Sequence, residues 1–84
     1  MDDTEGLIMG QDRLEIALRE IVAGAPLMSG VQDRVVRWAL LDVRVRVLVL
    51  DAGRAHSRGD LEGWGRMLWA AVDHSRDLDR AVSA

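Results

Sequence analysis

Cysteine, lysine, asparagine, phenylalanine and tyrosine are absent from this 84-residue chain, and proline occurs once. Without cysteine there is no disulfide framework, no thiolate nucleophile and no zinc site of the cysteine-rich kinds. No apolar run approaches the roughly 18–20 residues that a membrane span needs. The start Met1-Asp2-Asp3-Thr4-Glu5 is the opposite of the basic start of a secretory leader. A cytoplasmic protein with no membrane association is therefore expected. All eleven basic residues are arginine. The missing residue types are largely those with AT-rich codons, which points to a GC-rich bacterial genome or a phage living in one. Arginine in place of lysine then carries no functional message by itself.

What is present, 49% hydrophobic and 30% charged residues, argues for one small globular domain over residues 1–84 and against disorder. A chain of this size buries only about 60–65% of its unfolded surface, so its stability is marginal and self-association as a homodimer is expected. The formal charge of −3 disfavours a nucleic-acid binder, which usually carries a basic excess. The charge is unevenly spread. Residues 1–33 hold Asp2, Asp3, Glu5, Asp12, Glu15, Glu20 and Asp33 against Arg13 and Arg19, a net of −5. Residues 34–58 hold Arg34, Arg37, Arg44, Arg46, Arg54 and Arg58 against Asp42 and Asp51, a net of +4. Such a stripe serves equally as a docking surface or as the partner of its own acidic flanks.

Gly24-Ala25-Pro26 and Arg58-Gly59-Asp60 punctuate the chain into three segments. In the first, Leu14, Ala17, Leu18, Ile21 and Val22 recur at helical spacing and predict a helix over about 11–23, with Leu7 and Ile8 able to extend it earlier. Ser29-x-x-Gln32 has the form of a capping box and opens a second helix over about 30–56. Val31, Val35, Trp38, Asp42, Val45, Val49, Ala52 and His56 give that helix a heptad seam with one polar member. A second apolar flank, Val36, Leu40, Val43, Val47 and Leu50, needs cover from the first helix or from a second subunit. Asp60 is a good N-cap for a third helix over about 60–82, with Leu61, Trp64, Leu68, Ala71, Ser75, Leu78 and Val82 on one face.

Docked antiparallel, the second and third helices place Asp42 opposite Ser75, Trp38 opposite Leu78 and Trp64 opposite the small Ala52, as interdigitating layers require. The expected fold is all-α, a small three-helix domain built on an antiparallel helical hairpin. The alternative is α+β, because Val43 to Leu50 begins with period-two alternation and is rich in β-branched residues. A lone strand at 43–50 would need pairing in a dimer.

Chemistry-bearing groups are few. His56 and His74, with Asp60, Asp73 and Asp77, lack the spacing that makes ligands converge on one helix face, so no metal and no cofactor are expected. Ser57 beside His56 and Ser75 beside His74 point in different directions on a helix, and no glycine-rich phosphate loop is present. No catalytic residue is assigned. Trp69 is the main anomaly: it projects roughly 140° from the Trp64 seam, among Glu62, Arg66, Asp73, Arg76 and Arg80. Tryptophan and arginine on a polar face are the composition of an interaction hot spot. Cover by the first helix would instead make Trp69 core. Asp42 and Arg46, spaced i, i+4, are the second anomaly, able to pair with each other or to serve an intersubunit contact.

These observations lead to a protein that binds another protein, such as a regulator, adaptor or inhibitor, through Trp69, Arg66, Asp73 and Arg76 and then through the Arg34, Arg37, Arg44 stripe. A DNA-binding or DNA-mimicking regulator is the alternative, and a metal-binding helical protein the third.

Overall fold

The computed structural model describes the backbone of residues 3–83 and the side chains of residues 12–83. Four helices are formed, α1 (Asp3–Ala23), α2 (Ser29–Leu41), α3 (Val43–Ser57) and α4 (Leu61–Ser83), and no strand occurs among the described residues. The fold is all-α. No described helix is long and apolar enough to cross a membrane. α1 ends where its spacing predicts and begins earlier than residue 11; the side chains of Leu7 and Ile8 lie outside the described residues.

The continuous helix expected over 30–56 is two helices, because Asp42 leaves the helical conformation, with φ −123° and ψ 125°. Its carboxylate Oδ1 accepts from the amides of Arg44 at 2.9 Å and Val45 at 3.2 Å, capping α3. Aspartate is among the strongest N-cap residues because it satisfies amides that have no partner inside the helix. The other side of the break is closed by Arg46, whose Nε donates to the Ala39 carbonyl at 2.9 Å and whose Nη2 donates to that of Leu40 at 3.0 Å. A cation on these carbonyls also opposes the negative end of α2. Asp42 and Arg46 therefore neither pair with each other nor need a second subunit. The strand alternative fails for the same reason: residues 43–50 lie in α3, which buries Val45, Val49, Ala52 and Ala55 at helical spacing.

The capping box at Ser29 is not made. Met28 is the N-cap residue of α2 and provides no side-chain cap bond. Gln32 Nε2 instead donates to the Leu27 carbonyl at 3.1 Å, tying down the α1–α2 connection. The α3–α4 turn follows its sequence signals closely. Gly59, at φ 80°, donates to His56, while the Asp60 amide donates to the Ala55 carbonyl at 2.9 Å, the paired bonds of a Schellman ending in which glycine meets no steric penalty. Asp60 then caps α4 by accepting from the Gly63 amide at 2.9 Å.

The core gathers Leu18 and Val22 from α1, Val35, Val36 and Ala39 from α2, the buried residues of α3, and Leu68, Ala71 and Val72 from α4. The most extensive packing is α3 on α4. The expected three-helix hairpin presupposed an unbroken second helix, and the break at Asp42 removes that premise. Ser75, drawn opposite Asp42, instead donates from its buried Oγ to the Val72 carbonyl at 2.8 Å and accepts from Arg34 Nε at 3.3 Å. α1 meets α3 at Gly53, where an added Cβ would lie 2.7 Å from Ile21 Cδ1. Of the apolar flank expected to need cover, Val36 is buried and Leu40 and Leu50 pack against the core, but Val43 and Val47 are exposed.

Candidate functional site

α4 turns Leu68, Ala71, Val72 and Ser75 inward and leaves Arg66, Trp69, Asp73 and Arg76 outward. Trp69 is 56% exposed, so neither α1 nor the α1–α2 connection folds over it. The ring borders a cleft shared with Ala25, Pro26, Leu27, Trp64 and Gly65. At Gly65 an added Cβ would have nothing within 4 Å, so the cleft is open there. Met28, next along the chain, is also exposed. The cleft's cavity volume of about 30 Å³ falls far short of the 300–1,000 Å³ usual for small-molecule pockets. No hydrogen bond or ion pair joins the side chains of Arg66, Asp73 or Arg76 to another described residue.

The arginine stripe divides. Arg37 Nη2 donates to Asp79 Oδ1 at 3.1 Å, and Arg34 Nε lies 3.8 Å from Asp79 Oδ2. Trp38 Nε1 donates to the same carboxylate at 2.7 Å. Asp79 thus gathers two arginines and an indole from α2 onto the C-terminal half of α4, and only Arg44 of the three stripe residues keeps an unengaged guanidinium among the described residues. Asp79 was not singled out by sequence pattern. Its position one turn after Ser75 is the only one-dimensional hint, and nothing along the chain says that α2 lies across from it.

The histidines are apart and differently used. His56 packs edge-on against Trp64 with ring centroids 5.2 Å apart, and His74 Nε2 lies 3.8 Å from Asp42 Oδ1. Among the described residues no three His, Cys, Asp or Glu side chains cluster as a metal site would require. Ser57 Oγ donates to its own helix at the Gly53 carbonyl, as Ser75 does at Val72, so each hydroxyl proton is turned to backbone. Arg19 is held further toward its charged form by hydrogen bonds to Asp33 and Glu15 on the surface of α1 and α2. No family model, curated protein or solved structure matches the chain.

Proposed function

We propose that this chain is a non-catalytic protein-binding module, a small regulator, adaptor or inhibitor that engages a partner protein through the outer face of α4. The observation that carries the reading is Trp69, 56% exposed beside an apolar cleft, on a helix face with Arg66, Asp73 and Arg76, which form no ion pair among the described residues. A half-exposed indole gains most when a partner completes its desolvation, and the charges around it supply orientation more than affinity. Arg44 extends the contact surface, whereas Arg34 and Arg37 are held by Asp79 and act chiefly within the fold. That engagement weakens the DNA-binding alternative, which needs the stripe free for phosphates. The lack of cysteine and the all-arginine basic set support a cytoplasmic setting in a GC-rich bacterium or its phage.

The test compares wild-type protein with Trp69→Ala as baits in lysate of a GC-rich bacterial host, with circular dichroism and thermal melting on both. The expected result is a protein retained by wild type and lost on Trp69→Ala at unchanged helicity. Equal retention by both baits would remove the α4 face from the proposal, and a collapse of helicity would make Trp69 a structural residue.

A further inference from the structure

α3 carries an uncovered ridge on the side away from the core. Val43, Val47 and Leu50 follow one another in steps of four and three and end at Arg54, so all four lie along one line of the helix. Val43 is 63% and Val47 49% exposed. Leu50 is partly buried and borders an open groove beside Ile21 and Gly53. β-Branched residues at this spacing match the seam of a helix pair. On one flank of the ridge stand Arg44 and Asp51, seven residues apart and therefore on the same side of the helix.

The geometry points to a second copy of this chain as the occupant, with the two α3 helices antiparallel across a two-fold axis. An isologous contact requires a surface complementary to itself, and the charges along α3 meet that requirement in one orientation. When a helix faces its own antiparallel copy, like flanks adjoin. Arg44 of each copy then stands beside Asp51 of the other, twice per dimer. In the same register Val47 packs on Leu50 of the second copy, and Val43 packs on the apolar stem of Arg54, whose charged head reaches water. In a parallel two-fold pairing unlike flanks adjoin, so Arg44 and Asp51, which share one flank, would not meet across the contact. Within one chain Asp51 accepts from Arg54 at 2.7 Å on the exposed surface, a bond that Arg44 of the second copy supplements. A single four-turn helix pair buries less than the roughly 800 Å² per partner of a standard interface, so the dimer has about micromolar affinity.

Sedimentation equilibrium of the intact protein across the micromolar range tests this. Wild type dimerises with rising concentration. Val47→Glu weakens the dimer at least about tenfold while retaining the monomer's circular dichroism, because Val47 is half-exposed in the monomer. Arg44→Asp weakens it as well, and the double reversal Arg44→Asp with Asp51→Arg restores it. Trp69→Ala leaves it intact, which separates this contact from the α4 face. A wild-type protein that stays monomeric, or a dimer indifferent to Val47→Glu, overturns the proposal. A dimer that the double reversal does not restore overturns the antiparallel register, and loss on Trp69→Ala alone would move the second copy to α4.

Discussion

Gly63 and Gly65 stand two residues apart at the start of α4, and a methyl group added at each meets different surroundings. At Gly65 it meets nothing within 4 Å, so Gly65→Ala recovers the helix-propensity difference and raises stability by about 0.5–1 kcal/mol. At Gly63 it runs into the Asp60 carboxylate, which must swing off the Gly63 amide and give up the cap. A lost N-cap costs about 1 kcal/mol, which cancels the propensity gain. Gly63→Ala alone is therefore neutral or destabilising, whereas in an Asp60→Ala background, where no cap remains to be displaced, it is stabilising. Urea unfolding of wild type, Gly65→Ala, Gly63→Ala, Asp60→Ala and the Asp60→Ala/Gly63→Ala double variant measures these effects, and a Gly63→Ala gain equal in both backgrounds would show that the Asp60 cap contributes nothing. The cap itself was legible: aspartate after Arg58-Gly59 and before an amphipathic run is a strong start signal. The need for glycine three residues later was not, since a glycine inside a helix reads equally as fraying or as close approach, and only the carboxylate's position separates the two.

The break between α2 and α3 marks where pattern reading fails at the scale of elements. Apolar residues continue in steps of three and four through Asp42, and a single polar seam residue is the ordinary signature of a register-setting layer in a long helix. Aspartate also caps helices, and what decides between these roles here is Arg46, which reaches back to satisfy the Ala39 and Leu40 carbonyls. Both helix ends at the junction are thus closed by one residue each, and neither choice is visible in periodicity. Asp42→Ala leaves the Arg44 and Val45 amides without their acceptor and costs about 1–2 kcal/mol, read as a lower urea midpoint. The packing of α1 on α3 has a comparable single point of control. Gly53→Ala drives a methyl to 2.7 Å from Ile21 Cδ1, and overpacking of about 1–3 kcal/mol outweighs the gain of about 1 kcal/mol in helix propensity. A stabilised Gly53→Ala protein would mean that Ile21 repacks freely and that α1 is loosely seated.

For the molecule as a whole, the separation of charge along the chain is partly resolved internally: Arg34 and Arg37 from the basic middle fold onto Asp79 of the acidic last segment, and Arg19 bridges to Asp33 within the first. Arg44 remains, next to the valines that no described element covers. A chain this short cannot cover all of its apolar surface, and the sequence places the shortfall on the right flank but too broadly, since Val36, Leu40 and Leu50 find cover and Val43 and Val47 do not. The difference follows the elements: Val36 and Leu40 lie on α2, and of the three residues on α3 only Leu50 sits beside Ile21 of α1. If the exposed half is completed by a second copy, folding and association are linked, and mass action stabilises the folded chain as its concentration rises. The thermal midpoint of wild type should therefore climb between micromolar and millimolar protein, while that of Val47→Glu stays level. Added salt should flatten the wild-type slope without abolishing it, because the Arg44 and Asp51 contacts are screened but the apolar ones are not. Calorimetry at several protein and salt concentrations reads both, and a wild-type midpoint independent of concentration would mean that the valine ridge stays in water and that the folded chain stands alone.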